Sequence, residues 1–451
     1  MSSEWQFVAI EDIAAPHSNA LSTGPFGSAI SSKFFTDCGV PVIRGSNLSV
    51  NVSLRLIDDG IVFVAADKAA EFRRSVAKRG DLVFTCWGTI NQVGLVDHRA
   101  GYDEYIVSNK QMKLTVDPAK ADSLFLYYVF SGPEKQKEIL DNGIGSSVPG
   151  FNLGQLKRHQ ALLPPLNEQK RISTFLGMLD DRITLLHETN TTLESIVQAL
   201  FKSWFVDFDP VHAKQQGIAP EGLDEATVAL FPDSFEESEL GLVPKGWRVA
   251  KVGDVVESVG GGTPDTKEPS YWEPGVHCWT TPKDLSGIQA PVLLTTERKF
   301  SATGLAKVSS GLLPIGTLLL SSRAPIGYLA IAQIPLAINQ GYIAMLPSSQ
   351  LPPIYMLFWC RQNMEIIKGR ANGSTFMEIS KKAFRPIPAL VPPAPALEAF
   401  VGMAGALFDR LVENEKQAET LTELRDTLLP RLISGQLRLP EAEAAMEEIV
   451  A

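Results

Sequence analysis

The chain has 451 residues, 45% hydrophobic and 20% charged. This is ordinary globular composition, and at roughly 100–200 residues per domain it means two to four domains. The most apolar stretches, near Leu312–Leu320 and Ile326–Ile338, are cut by Pro and Gly and are too short to span a bilayer; with no basic and apolar leader pattern over residues 1–5, a cytoplasmic location without membrane contact is expected. Cys38, Cys86, Cys278 and Cys360 are scattered, which excludes a CxxC zinc site and a disulfide framework.

The net charge of −10 would argue against a nucleic-acid partner only if it were evenly spread. Residues 1–150 hold 14 basic against 17 acidic residues (net −3), and 151–244 hold 7 against 14 (net −7). Residues 245–388 hold 15 against 9 (net +6), and 389–451 hold 5 against 11 (net −6). DNA binding needs a local basic patch, not a basic chain. In the first region that patch is Arg73, Arg74, Lys78 and Arg79, although a solvated face accounts for it equally well.

In chain order, residues 1–160 read as a first globular domain of mixed strand and helix. Short apolar runs at Val40–Ile43, Asp81–Phe84 and Val93–Val96 alternate with Gly/Pro turns, and one amphipathic helix is expected around Ser123–Leu140. Its loops hold Arg44, Asn47, Trp87, Asn91, Gln92, Asn109 and Lys110. Arg, Lys, Asn and Gln have the geometry to read guanine and adenine edges, but each alone is as well explained as a turn or surface residue.

Residues 161–206 contain a long helix over 167–205, with Asn167 as cap and Glu168 in its first turn. Ile172, Leu176, Leu179, Ile183, Leu186, Asn190, Leu193, Val197, Leu200 and Trp204 follow a 4-3-4-3 spacing, a heptad seam. Residues 207–245 read as a linker arm with at most one short helix, near Glu225–Leu230. They contain Pro210, Gly217, Pro220-Glu221-Gly222 and an acidic Glu236-Glu237 run.

Residues 246–390 read as a second mixed domain, with strands at Gly316–Leu320 and Tyr328–Ile331 and a helix at Pro353–Lys368. Candidate contact residues are Thr263, Lys267, Tyr271, Trp272, Lys283, Arg323, Asn339 and Gln340. Gly260-Gly261-Gly262-Thr263 lacks the lysine of a phosphate-binding loop and reads as a flexible turn. Residues 391–436 repeat the seam as Phe400, Ala404, Leu407, Leu411, Asn414, Ala418, Leu421, Arg425, Leu428 and Leu432. Residues 437–451 form an acidic tail.

The chain thus says nearly the same thing twice. Leu162-Leu163-Pro164-Pro165 falls on Leu390-Val391-Pro392-Pro393, Asp181-Arg182 on Asp409-Arg410, and Leu193 and Leu200 on Leu421 and Leu428, all 228 residues apart. Upstream, Gly145-Ser146-Ser147 matches Gly373-Ser374-Thr375 at the same offset, and then the offset drifts: Asn109 matches Asn339, Gly94 matches Gly327, and Trp5 matches Trp247. A repeat this long is a duplicated domain rather than a solenoid. Antiparallel pairing of the two helices sets Ile172 against Leu432 and Trp204 against Phe400. It also places Asn190 opposite Asn414, a polar layer of the kind that fixes register. The fold class is therefore α+β: two similar mixed domains separated by a long antiparallel two-helix coiled coil, with internal pseudo-two-fold repetition.

No catalytic constellation is found. The six histidines lack metal-ligand spacing, and Asp58-Asp59 and Asp180-Asp181 read as solvated pairs. No NPPY- or DPPY-like element marks an amino-methyltransferase.

Several stretches resemble the specificity (HsdS) subunits of Type I restriction-modification systems. They are residues 163–172 (LPPLNEQKRI), 201–210 (FKSWFVDFDP) with Ala213-Lys214, 241–247 (GLVPKGW), 261–264 (GGTP) with Tyr271, Trp272 and Trp279, and 428–435 (LLPRLISG). The match covers essentially the whole chain, though Trp5 lacks the lead-in of Trp247. The resemblance implies two target-recognition domains held apart by spacer helices, each reading one half of an asymmetric bipartite site in double-stranded DNA. It implies a non-catalytic subunit that binds no cofactor and needs no self-association. Its expected partners are two methyltransferase subunits using S-adenosylmethionine and two restriction/translocase subunits using ATP and magnesium. A two-lobed protein–protein adaptor with a coiled-coil strut is the alternative from composition.

Overall fold

The computed structural model describes residues 5–145, 148–220, 222–373 and 377–450. Ser146, Ser147, Ser374 and Thr375 of the expected repeat, and Glu221 of the arm, lie outside the described residues. The chain folds as two compact units, Met1–Thr184 with Glu419–Ala451, and Leu185–Ala418. Among the described residues no helix is long and apolar enough to cross a membrane.

In the first unit, Gln6–Ala9 pairs antiparallel with Gln160–Leu163, so the globular region closes just before the long helix starts. A four-stranded sheet runs in the order Leu21–Thr23, Gln111–Leu114, Leu82–Thr85, Val93–Leu95. A five-stranded sheet runs Phe35–Thr36, Val62–Val64, Val40–Ile43, Glu104–Val107, Val76–Lys78. The second unit repeats this frame. Arg248–Lys251 pairs with Pro388–Val391, and Ser258–Val259, Tyr342–Met345, Leu318–Ser321 and Leu329–Ala332 repeat the four-stranded order. Val42 pairs parallel with Ile106 as Trp279 does with Ala337.

These ladders correct two of the expected matches. Val83 pairs with Gly94 and Leu319 with Ala330, so Gly94 corresponds to Ala330, and Gly327 to Asn91. Gln111 pairs with Thr85 and Tyr342 with Ser321, so Asn109 corresponds to Gln340, and Asn339 to Ser108. A chance identity one to three residues away had outweighed the strand register. Trp5 and Trp247 do correspond, each preceding the strand that closes its domain.

Each expected domain helix is two. Ser123–Ser131 and Pro133–Asp141 are separated by Gly132, extended at φ −67°, ψ 145°, because a residue before proline is pushed out of the helical region. Pro353–Gln362 and Met364–Gly369 break at Asn363. The arm is more ordered than its composition suggests. It holds helices Asp209–Gln215 and Glu225–Ala229 and a hairpin of Phe235–Ser238 with Gly241–Pro244. Val211, Phe231 and Val243 anchor it in the core, three apolar residues too widely spaced to show periodicity. The acidic tail also holds a helix, Leu439–Val450, with Leu439 and Ala442 buried.

The long helices are Leu166–Phe205 and Ala394–Ile433, of 40 residues each, packed antiparallel. In the first unit Ile172, Leu176, Leu179, Ile183, Leu421, Leu428 and Leu432 are buried. So is Asp180, expected to be solvated: it is 0% exposed and lies in an ionic network. Arg425 Nη1 donates to Asp180 Oδ1 at 2.8 Å. Tyr128 OH donates to Asp180 Oδ2 at 2.5 Å, and Arg55 Nη2 does so at 3.3 Å. Arg55 Nη1 continues to Asp97 Oδ2 at 2.6 Å. The heptad seam predicts apolar partners there, but it is silent on a carboxylate one residue off the seam.

In the second unit Leu186, Val197, Trp204, Phe400 and Leu411 are buried, and Leu193, Leu200 and Leu407 partly so. Asn414 Nδ2 donates to Asn190 Oδ1 at 2.8 Å, so these two residues meet as the seam predicts. Asn190 Nδ2 in turn donates to Glu415 Oε1 at 2.7 Å and to the Leu411 carbonyl at 3.2 Å.

Two consequences are measurable. Asn190→Leu should cost about 1–3 kcal/mol by leaving the Asn414 amide buried and unpaired. In a double-mutant cycle with Asn414→Leu, part of that loss should return, but not all, because Glu415 still lacks the Asn190 amide and keeps only the longer His187 contact at 3.4 Å. Strictly additive losses in thermal stability would show that the pair is uncoupled.

Burial opposes the charge on Asp97, but the hydrogen bond and charge of Arg55, with Arg99, hold its carboxyl below the usual range. A carboxylate with a lowered folded pKa contributes stability above its unfolded value, near 3.9, that is lost as pH falls through the folded value. Melts should therefore lose stability below about pH 4, with Asp97→Asn flattening that limb. Equal acid limbs for both proteins would mean Asp97 is not held charged.

Candidate nucleic-acid interface

In the first unit, five of the seven loop residues expected to contact DNA line one cavity of about 470 Å³: Arg44, Trp87, Gln92, Asn109 and Lys110. Three strand ends converge there, Val40–Ile43, Leu82–Thr85 and Gln111–Leu114. Trp87 is projected by the turn at Gly88, whose φ of +95° suits glycine. Its ring lies on Gly150, where a Cβ would come within 2.5 Å, and its remaining surface leaves it 46% exposed. Gln92 is oriented by its Nε2, which donates to the Leu48 carbonyl at 3.0 Å. Arg44 Nη2 donates to the Gly60 carbonyl at 3.2 Å, and its guanidinium sits over Phe35.

Beneath them lies Gln111, which the sequence pattern did not single out. It is fully buried; Ser108 Oγ donates to its Oε1, and among the described residues its Nε2 has no partner. Its strand reads Gln-Met-Lys-Leu, so the local pattern held no signal that set Gln111 apart. Arg44 Nε is likewise buried without a partner among the described residues. Buried donors left unpaired cost about 1–3 kcal/mol each, and these two lie against the cavity, where a polar group could meet them.

Other expected residues are occupied. Asn47 is fully buried: its Oδ1 accepts from the Arg44 amide at 3.0 Å and its Nδ2 donates to the Ile57 carbonyl at 2.8 Å. It shapes the loop and has no free edge to read a base. The basic cluster is divided. Lys78 pairs with Glu104 at 2.6 Å, which raises its pKa, and Arg79 pairs with Asp103 at 2.7 Å. Arg73 and Arg74 are exposed, with Arg74 over Phe26. Asn91 is half-buried, and Asn109 Nδ2 donates to the Gly27 carbonyl at 2.9 Å.

In the second unit the same frame carries other chemistry. Arg323 stands where Trp87 stands, Tyr328 where Gln92 does, and Tyr342 where Gln111 does, by the strand register above. Tyr342 OH donates to the Thr281 carbonyl at 2.6 Å, so this floor is satisfied. Arg323 precedes Ala324, a non-glycine residue at φ +55°, and lies 3.7 Å from Glu378 beside a cavity of about 660 Å³. Thr263 Oγ1 donates to Gln340 Oε1 at 2.6 Å, and Asn339 Oδ1 accepts from the Gly341 amide at 2.8 Å. Lys283 is paired with Glu297 at 2.8 Å, Lys267 is exposed, and Tyr271 and Trp272 sit together on one loop.

The expected flexible turn at Gly260–Thr263 is held instead. A Cβ on Gly261 would lie 1.8 Å from the Ile338 carbonyl oxygen, which accepts from the Gly262 amide at 3.0 Å. Backbone contact this close requires glycine. Among the described residues no group of three His, Cys, Asp or Glu could hold a metal ion. Burial pushes the Cys86 thiol up to about 12, so it stays protonated. What the two surfaces offer is hydrogen bonds, cations and aromatic faces: recognition chemistry.

The family model for the Type I restriction modification DNA specificity domain matches the chain twice, at residues 2–195 and 244–428. The HindI specificity subunit of Haemophilus influenzae is 25% identical over 378 residues, 74% of this chain and 82% of that protein. The MjaIX specificity subunit of Methanocaldococcus jannaschii is 35% identical over 327 residues, 71% of this chain and 70% of that one. The crystal structure of a Type I restriction-modification S subunit from M. genitalium has the same fold. Its TM-score is 0.57 at 17% identity, covering 95% of this chain and 96% of that one.

The unpaired Gln111 amide separates stability from binding. Gln111→Met removes an unsatisfied donor but also the acceptor of Ser108 Oγ, so the melting temperature should change little while DNA binding by the assembled complex weakens. A large loss of stability with unchanged binding would show the amide to be structural.

Proposed function

The chain belongs to the DNA specificity subunits of Type I restriction-modification systems, and on that premise we propose that its two globular domains each read a different half of one asymmetric site. It is the specificity part of a restriction enzyme complex, not the catalytic part. The proposed recognition domains are residues 1–160 and 246–390, with 161–206 and 391–436 as spacer helices and 207–245 as the connecting arm. Trp87, Gln92, Arg44 and Lys110 would face DNA in the first, and Thr263, Lys267, Tyr271, Trp272, Arg323 and Gln340 in the second.

One observation carries this reading. Equivalent positions on a shared frame hold Trp87 against Arg323, Gln92 against Tyr328 and Gln111 against Tyr342. Duplicated frames with divergent contact residues suit one task performed on two different sequences. A protein adaptor, the other reading of the composition, gives no reason for that divergence to fall at polar, cavity-lining positions.

Recognition by readers of this kind means base-edge contacts for specificity, with phosphate contacts for register. The spacer would hold the half-sites about one helical turn apart on one face of the duplex, roughly 34–36 Å. Two methyltransferase subunits and two restriction/translocase subunits would supply the S-adenosylmethionine, ATP and magnesium chemistry in the cytoplasm. A chain that carries its own repeat needs no second copy of itself.

Replacing residues 1–160 with the corresponding region of a relative, in a complete system, should change the first half-site only. Mapping methylated adenines in the host genome reads the outcome. A change in both half-sites, or in neither, would mean the domains do not read independently.

A further inference from the structure

Arg298 was not among the expected contact residues, yet it is an exposed cation stacked on two indoles. It lies on the edge strand Arg298–Phe300, opposite Trp279 in the ladder. Its guanidinium carbon sits 3.5 Å above the Trp272 ring centroid and 5.2 Å from that of Trp279. The platform is itself fixed. Trp272 Nε1 donates to the Asp265 carbonyl at 3.0 Å, and Trp279 Nε1 to the Gly262 carbonyl at 3.2 Å. The two indoles pack edge to face at 5.2 Å, with Phe300 fully buried behind them.

The fork of Arg298 is unoccupied: among the described residues its side chain has no hydrogen bond or ion pair. Other cations of this unit differ. Lys283 is held by Glu297, Arg361 by Glu194, and Arg323 lies beside Glu378. The loop that supplies Trp272 also supplies Lys267 and Tyr271, already proposed to face DNA, and Lys307 lies over Tyr271. Stacking removes rotamer freedom from the guanidinium before any ligand arrives, and leaves its coplanar N–H groups aimed outward.

We propose that Arg298 is a specificity-determining residue that reads a guanine in the half-site taken by residues 246–390. This rests on the DNA-reading role above. A guanidinium only donates. Guanine is the base whose major-groove edge offers two adjacent acceptors, N7 and O6, whereas adenine sets an amino group beside N7. A fork stacked rigidly on indole is suited to a bidentate pair of acceptors, and the test below separates a guanine edge from a phosphate. Val62 occupies the matching place in the first unit, opposite Val42, so the effect belongs to one half-site.

The test uses the complete methyltransferase complex, first shown to prefer its own site over duplexes altered at single base pairs. Arg298→Ala and Arg298→Lys are compared across that duplex set and a salt series. The expected result is a loss of roughly 5- to 150-fold for the native duplex in both variants. Preference should relax at one G·C pair of the second half-site, with the first half-site unchanged. Trp272→Leu, which removes the platform and keeps the charge, should relax the same pair. Uniform weakening on all duplexes, with the salt slope falling by about one and Arg298→Lys restoring binding, would make Arg298 a phosphate contact and overturn the proposal. No effect in either variant would overturn it too. If the wild-type complex shows no sequence preference, the failure lies with the parent reading instead, and is seen before any variant is made.

Discussion

The first unit turns on one buried carboxylate. Asp180 is inaccessible to water, and three groups from separate parts of the chain satisfy it: Arg425 on the second long helix, Tyr128 on a domain helix, and Arg55 on a loop. Arg55 ties that centre onward to Asp97, and Arg99 bonds both Asp97 and Thr184. Burial works against the charge of Arg55, but Tyr128, Asp97 and Asp180 outweigh it and raise its pKa. A buried ion network is weak evidence for net stability, because desolvation offsets the attraction. Its consequence is geometric. Directional bonds to one carboxylate admit one docking of the recognition domain on its helices, where apolar packing alone would tolerate sliding.

The second unit solves the same docking problem with shape. By the repeat, Val197 and Phe408 stand where Arg425 and Asp180 stand, and both belong to an apolar core. There Phe201, Trp204 and Phe205 at the end of the first long helix interlock with Tyr355, Phe400 and Trp247 at centroid separations of 5.1–6.3 Å. These are the aromatic residues of the Phe-Lys-Ser-Trp-Phe motif. The chain then turns at Phe208, held in the left-handed region at φ +54° between Trp247 and Phe235. The motif that carried the resemblance is thus structural: it welds helix, arm and domain.

What was legible in the sequence was what local periodicity encodes. A 4-3-4-3 seam specifies partner faces along a helix, so the Asn190–Asn414 layer could be placed from spacing alone. Strands with apolar runs, such as Val40–Ile43, were legible for the same reason. What was not legible depended on groups distant in sequence. Asp180 looks solvated from its neighbours alone, since Arg55 and Arg425 lie 125 and 245 residues away. The arm hides its core residues among acids and prolines. Lys78 and Arg79 read as a free basic patch until Glu104 and Asp103 arrive from another part of the chain. Residue identity also misled the repeat: in loops between strands the ladder, not the matching letter, defines equivalence.

The two candidate surfaces show where duplication has been allowed to diverge. Most frame-strand positions stay apolar, as a core tolerates little change in volume, although Lys113 falls on Ala344 and Val62 on Arg298. Other positions that differ sit where strand ends open to solvent: Trp87 and Arg323, Gln92 and Tyr328, Arg44 and Thr281. The floors differ most. Tyr342 satisfies its own hydroxyl within the protein, whereas Gln111 and Arg44 leave donors unpaired under a half-open cavity. A domain that tolerates unpaired donors in its free state gains more when a matching acceptor arrives, and loses more when it does not. Discrimination in the first unit would therefore come from the polar floor of a cavity. In the second it would come from a cation held rigid at the surface. On that reading one frame would reach specificity by two physical routes.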